Sequence, residues 1–286
     1  MQLFFRIIFK TFFILTILVG CANIEQIKET GSDALLNQGI ALLGEGQYDL
    51  SINYFNKAIE INPRFAEAYR NRGLAYRKKG QYDKAIADYN KVIEINPRDA
   101  AAYRNRGSAY RKKGQHDKAI ADFNKAIEIN PRDADAYYNR GLAYFEKGQY
   151  NKAIADFNKA IDLNPRHTMA YHSRGIAYAK KGQYDEAIAD YNQVIEINPR
   201  DADAYYNRGL AYAKGKDQYD KAISDFSKAI EINPRFAEAY RNRGLAYFYK
   251  RNYEKAWDDV HKAQNLGYTV HPRFLKALRE ASGRLE

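Results

Sequence analysis

The feature that most constrains this chain is a period. Glycine recurs at Gly39, Gly73, Gly107, Gly141, Gly175, Gly209 and Gly244, a step of 34 residues with one extra residue before the last. Proline keeps the same step at Pro63, Pro97, Pro131, Pro165, Pro199 and Pro234. The stretch Ala66 to Asp99 is the clearest copy, and close versions of it run from Ser32 to Val270. A period of this length signals stacked supersecondary units. None can bury its apolar face alone, so the core must form between neighbours.

Each unit reads as two short helices. Ala66 to Lys79 is a run of helix formers with Tyr69, Gly73 and Tyr76 on one stripe. Lys78 and Lys79 fall in its last turn, where cations suit the helix dipole, and Gly80 stands where a left-handed cap residue is wanted. The second helix is expected to begin near Asp83 and carries Ala85, Ile86, Tyr89, Val92 and Ile93 on its apolar side. Pro97 closes it, because the residue before a proline is pushed out of the α region. Asp99, Asp133 and Asp201 are expected to cap the following first helices, whereas Phe65 and Phe236 occupy that place in two repeats and demand another solution.

Tyr69, Gly73, Tyr76, Ala85, Tyr89 and Pro97 match the spacing of the tetratricopeptide repeat, which this chain resembles over most of its length. The resemblance implies an all-α fold: a right-handed superhelical solenoid of about seven helix-turn-helix units, with the first helices lining a concave groove. One letter departs from the pattern. Where the family carries leucine, this chain has Arg72, Arg106, Arg140, Arg174, Arg208 and Arg243. An acid recurs on the second helix as Asp88, Asp122, Asp156, Asp190, Asp225 and Asp259. Repeat one lacks both, having Gln38 and Tyr54, and this joint loss predicts an ion pair in the other six.

The glycines need a reason as well. Glycine inside a helix costs roughly 1 kcal/mol relative to alanine. Close approach of the paired helix at its own small residue, Ala85, Ala119, Ala153, Ala187, Ala222 or Ala256, is the expected cause.

Residues 1–20 differ from everything after them. Arg6 and Lys10 precede the apolar run Thr11 to Val19, too short to span a bilayer but suited to a secretory leader. Leu18-Val19-Gly20-Cys21 resembles the lipobox of bacterial lipoproteins, which implies cleavage before Cys21 and lipidation of that cysteine, the sole one in the chain. Two rivals remain: ordinary signal-peptidase cleavage after Ala22, and retention of Leu3 to Ala22 as an uncleaved anchor. Ala22 after the cysteine, by the same resemblance, implies a lipid anchor in the outer membrane facing the periplasm.

Residues 21–31 then form a lipidated tether. Seven repeats follow, at 32–65, 66–99, 100–133, 134–167, 168–201, 202–236 and 237–270. Repeat six carries its extra residue in Lys214 to Gln218, expected in the turn between its helices. Residues 271–286 read as a capping helix opened by Pro272, with Phe274, Leu275 and Leu278 on one side.

In the family, residues two positions before the glycine face the groove. Here they are Asn37, Asn71, Asn105, Asn139, Ser173, Asn207 and Asn242. A side-chain amide both donates and accepts, which suits the backbone of an extended peptide whatever its sequence. Duplication of one good template explains the series equally well, since Arg64 to Tyr76 is identical to Arg235 to Tyr247. One position earlier the letters vary, from Arg70 and Arg104 through Tyr138, His172 and Tyr206 to Arg241, and specificity is expected there. Phe145, Ala179 and Ala213 replace Arg77 and Arg111, making the middle of the groove less charged than its early part. Glu67, Ala101 and Asp135 stand where a carboxylate-clamp relative would need lysine.

No catalytic constellation emerges. His116, His167, His172, His261 and His271 show no metal-ligand spacing, no cofactor motif is present, and Trp257 reads as packing rather than as a sugar platform. Two function classes survive. One is a membrane-tethered adaptor binding extended peptide segments of proteins, resembling repeat lipoproteins that scaffold cell-wall hydrolases and proteases or assist pilus and secretin assembly. The other is a binder of an anionic polymer or lipid surface through a formal net charge of +11. Nucleic acid is not an expected partner, since no base-stacking motif appears.

Overall fold

The computed structural model describes residues 31–283 apart from residue 217. The leader over residues 1–20, Cys21 and the tether up to residue 30 lie outside the described residues, and Gly31 already belongs to the first helix. Fifteen helices and no strand occupy the described residues. They fall into two compact units divided after Pro131.

Unit one holds three antiparallel pairs: α1 (31–44) with α2 (Tyr48–Ile61), α3 (Ala66–Lys78) with α4 (Tyr82–Ile95), and α5 (Ala100–Lys112) with α6 (His116–Ile129). Unit two holds four more: α7 (Ala134–Glu146) with α8 (Tyr150–Leu163), α9 (Thr168–Lys180) with α10 (Tyr184–Ile197), α11 (Ala202–Lys216) with α12 (Tyr219–Ile232), and α13 (Ala237–Tyr249) with α14 (Tyr253–Asn265). A single helix, α15 (Pro272–Ser282), follows. Within each unit the second helix of one pair also packs on the first helix of the next, as α4 does on α5 and α10 on α11.

The helix ends largely follow the sequence. Asp99, Asp133 and Asp201 each accept a hydrogen bond from a first-turn N–H, from Ala102, Ala136 and Ala204. His167 Nδ1 does the same for Ala170 at 3.3 Å. Phe65 and Phe236 make no side-chain cap, and those first turns carry Glu67 and Glu238, placed to favour the helix dipole. The second helix begins near Asp83, as expected. Helix α4 starts one residue earlier, behind Gln81, and Asp83 accepts from Lys113 Nζ of the next repeat. At the other end Asn96 is extended, and its Oδ1 accepts from Arg98 N at 3.1 Å, a turn around Pro97 that Asn62, Asn164, Asn198 and Asn233 repeat.

Gly80 takes φ +74°, the left-handed cap its position required. Arg251 stands at that place in the last hairpin and takes φ 59° despite its side chain. In repeat six the extra residue is not in the turn. Gly215 stays helical, so α11 runs on to Lys216 and is 15 residues long against 13 for α9 and α13.

Six of the seven recurring glycines meet a ring first, and the seventh, Gly244, meets the Ala256 carbonyl oxygen at 3.1 Å, the small-residue contact the sequence implied. A methyl group at Gly141 would sit 2.7 Å from Cε1 of Phe157 and 3.3 Å from the Ala153 carbonyl oxygen. At Gly73 it would sit 2.8 Å from Cε1 of Tyr89. At those six the small residue of the partner helix allows the helices to approach, but the contact that forbids a side chain is the aromatic four residues further on. Those rings are among the most buried side chains of each unit.

The six arginines pair as their spacing implied. Each forms a two-bond fork on its aspartate: Arg140 Nε to Asp156 Oδ2 at 2.8 Å and Nη2 to Oδ1 at 2.6 Å, with equivalent forks from Arg72, Arg106, Arg174, Arg208 and Arg243. The aspartate side chains are at most 8 % exposed. Burial pushes the Asp88, Asp190 and Asp259 carboxyls above the usual carboxylate range, and the guanidinium forks act against it. Two further partners were not anticipated. The guanidinium lies over the tyrosine three residues earlier, 5.3 Å from the ring centre for Arg72 on Tyr69. Its remaining nitrogen donates to the preceding repeat, Arg72 to Asn56 and Arg174 to Asn158, each at 2.6 Å. One side chain therefore ties three helices together.

Helix α15 completes unit two. His271 caps it through Arg273 N, Leu278 is fully buried, and Phe274 and Leu275 pack on the cluster around Trp257 and Val260. The indole N–H of Trp257 donates to Ser282 Oγ at 3.1 Å, which is a packing role.

Candidate binding face

Six of the seven first helices carry the asparagine and α9 carries Ser173; Asn37 is exposed, and Asn71, Asn105, Asn139, Asn207 and Asn242 are half-buried. The amide groups are already engaged. Asn71 Nδ2 donates to the Glu67 carbonyl at 2.9 Å and Asn139 to that of Asp135 at 2.7 Å, one turn back on their own helices. Asn242 donates both to the Glu238 carbonyl and to the Tyr206 hydroxyl, each at 2.9 Å. Asn207 Nδ2 lies 3.1 Å from His172 Nε2. The last two contacts join first helices of successive repeats, so the series serves as an internal seam in unit two. For Asn71 and Asn139 this pattern points Oδ1, the acceptor, as the atom for an incoming N–H.

The variable position beside the asparagine separates into three environments. Tyr138 is buried, with its ring 4.8 Å from His167 and 5.9 Å from Phe157. His172 and Tyr206 are half-buried against Tyr191 and Phe226, and burial holds the imidazole below its ordinary pKa and the phenol above. Arg70 is held by Asp99 at 3.1 Å and Glu67 at 3.5 Å, Arg104 is half-buried, and Arg241 donates to Asn242 Oδ1 at 2.6 Å. These side chains shape the face from beneath more than they project from it.

The open space lies seven residues further along the helix. In unit one Arg77 and Arg111 stand there with buried Nε atoms. Burial pushes the Tyr89 hydroxyl up to about 12, and the charge of Arg77 beside it opposes that rise. In unit two Ala179 and Ala213 take the same place and leave two recesses. The first, about 250 Å³, lies between α9 and α11 and is lined by Ile176, Ala179, Lys180, Tyr191, Asn207 and Leu210, among others. The second, about 290 Å³, lies between α11 and α13; Leu210, Ala213, Tyr219, Asn242, Leu245 and Tyr249 form much of it. Leu210 and Lys214 belong to both, so the recesses adjoin. Tyr219 and Tyr249 stack at 5.0 Å with an angle of 17°, and Tyr249 is 56 % exposed. The sequence reading had marked Ala179 and Ala213 for their lack of charge; it missed Leu210 and the stacked tyrosines, whose contribution depends on the next repeat.

Among the described residues no group of three or more His, Cys, Asp or Glu side chains could hold a metal ion, and no helix is long and apolar enough to cross a membrane. The arrangement offers apolar recesses, amide groups and lysine rims, which suit non-covalent holding of a chain.

Tandem helix pairs, each packed on the next within its unit, define a helical-repeat scaffold. Models described as TPR repeat match residues 39–80, 107–148, 177–215 and 216–250, and models described as tetratricopeptide repeat match 66–99, 134–167, 88–121 and 157–189. The chain belongs to the tetratricopeptide repeat family, whose members are protein-interaction scaffolds. It is similar to YrrB, described as a TPR protein with an unusual peptide-binding site, at 32% identity over 65% of this chain and 95% of that one, with a TM-score of 0.54. MamA is similar at 34% identity over 60% of this chain and 94% of its own, also at 0.54. PilF of Pseudomonas aeruginosa, at 20% identity over 72% of this chain and 94% of that one, shares the fold with a TM-score of 0.64. A comparison with curated proteins gave no match.

Proposed function

We propose that this protein is a non-catalytic adaptor of the bacterial envelope, tethered through a lipid on Cys21, that holds extended segments of partner proteins across the first helices of unit two. The observation that carries the reading is the pair of adjoining recesses around Leu210, with Asn207 and Asn242 in their walls. The peptide-binding site named for YrrB supports a peptide as the ligand class. The forks make six arginines unavailable to an anionic polymer, but each is matched by an aspartate, so the net charge of +11 rests on the remaining side chains and salt separates the two readings.

Crosslinking in intact cells followed by pull-down tests the reading, comparing wild type with a combined Asn207→Ala and Asn242→Ala variant of unchanged thermal unfolding. Specific proteins captured by the first and lost by the second are expected. Capture that persists in the variant but vanishes at high salt would transfer the function to surface charge. The anchor is tested separately: palmitate label is expected on the wild type and absent from Cys21→Ser, and label on the mutant would overturn it.

A further inference from the structure

Resting on the peptide-binding reading above, we infer that the two recesses select one kind of segment: an acidic stretch in polyproline II geometry with apolar side chains three residues apart, the second of them aromatic.

The spacing argument comes from the helices. Helix α11 packs beside α9 on one side and α13 on the other, and each recess lies in one of those two seams. Packed helices lie roughly 8–10 Å apart, so the recesses are about one helix spacing from each other. A polyproline II segment rises about 3.1 Å per residue with three residues per turn, which places positions i and i+3 on one side about 9 Å apart. A β-strand presents i and i+2 on one face at about 7 Å, or i and i+4 at about 13 Å, and neither fits. An α-helix presents i and i+4 about 6 Å apart along its axis and i and i+7 about 10.5 Å apart, one short of the roughly 8–10 Å span and the other beyond it.

Lining chemistry orders the two side chains. The α9–α11 recess is aliphatic, with Ile176, Ala179 and Leu210, and has Tyr191 in its wall. The α11–α13 recess is bounded by the stacked Tyr219 and Tyr249 and by Leu245, flat apolar surfaces suited to another ring. Charge fixes the rest. Lys180 and Lys214 are exposed at the recesses and have no ion-pair partner among the described residues. Of the nearby acids, Asp203 and Glu238 lie in the first turns of α11 and α13, at the opposite end of those helices, while Asp185, Glu186 and Asp220 stand beside the recesses in the first turns of α10 and α12, where Asp220 is paired with Lys250 and Glu186 accepts from Gln183. A segment laid over the recesses therefore crosses a cationic strip.

Fluorescence anisotropy with defined peptides tests the inference on the full chain. The probe is a labelled short peptide with leucine and tyrosine three apart, proline between them and aspartates on both sides. Binding is expected to weaken about tenfold or more when the spacing becomes two or four, and by a similar factor when lysines replace the aspartates. Ala213→Arg, which installs the residue native to repeats two and three, is expected to abolish the aromatic preference. Lys180→Glu with Lys214→Glu, both at exposed sites, is expected to reverse the charge preference. Equal affinity for all spacings, or no effect of either variant, overturns the inference. If no probe binds while Asn207→Ala with Asn242→Ala still loses partners in cells, the segment rule fails and the adaptor reading stands; if those partners are also retained, both fail.

Discussion

Units one and two share a template almost letter for letter, yet they present different faces. In unit one Arg77 and Arg111 stand at one position of the first helix, each with a buried Nε atom. In unit two Ala179 and Ala213 take that position and line adjoining recesses. Everything beneath is alike: the same glycine against the same ring, the same arginine fork on aspartate. A repeat scaffold can therefore keep its internal contacts constant and vary its surface by one residue per copy. The two sets of residues should respond differently to substitution.

The largest effects are expected in the shared frame. Arg72→Ala in unit one and Arg174→Ala in unit two each strand a buried aspartate, a loss of about 3–5 kcal/mol in urea denaturation. The contrast between units stops at the surface only if the two losses agree, and a double-mutant cycle on Arg140 and Asp156 without coupling energy would remove the fork from the account. Next comes Gly141→Leu, which drives a side chain into the buried Phe157 ring and is expected to destabilise by about 1–3 kcal/mol. Unchanged thermal unfolding would show that the ring can yield. Arg251→Gly should do the opposite, adding about 1 kcal/mol by relieving a left-handed residue that carries a side chain. A lower melting temperature would mean that the arginine makes a contact worth more than its strain.

The smallest expected effect separates the units by pH. Burial holds the His172 imidazole below its ordinary pKa, with Asp201 and Asp203 acting against it. The fold thus favours the neutral ring, and this contribution is present above the unfolded pKa of about 6.5 and lost as pH falls through the depressed native value. Unit one has Arg70 and Arg104, not an imidazole, at the matching positions. Acidification from neutral should therefore weaken unit two selectively in urea denaturation, and His172→Tyr, the residue of the neighbouring repeats, should flatten the difference. A pH slope that survives the substitution would place its origin elsewhere.

What the sequence made legible was whatever repeats. The period, the caps at Asp99, Asp133 and Asp201, and the Arg–Asp pairing were all readable because each is a relation between fixed positions of one copy. What escaped depends on a neighbouring copy. Asp83 was legible as an acid at a helix start, but its partner, Lys113 of the next repeat, was not. The asparagines looked free for a ligand, yet Asn242 reaches Tyr206 and Asn207 meets His172, contacts fixed by how far one helix sits from the next. The extra residue in repeat six entered α11 because Gly215 did not take the left-handed conformation that ends the other first helices, a choice local propensity leaves open.

The third bond made by Arg72, Arg106, Arg174, Arg208 and Arg243 gives the repeats within each unit a direction. Arg106 reaches back to Asn90, and Arg174 reaches back to Asn158, so a copy offers an asparagine to its successor and an arginine to its predecessor, like plug and socket on one cable. An in-frame duplication or loss of 34 residues rejoins the same two halves. Length can then drift over evolutionary time with no new interface to invent, and Ser227, which serves Arg243 at 2.9 Å, shows that the socket tolerates a change of fitting.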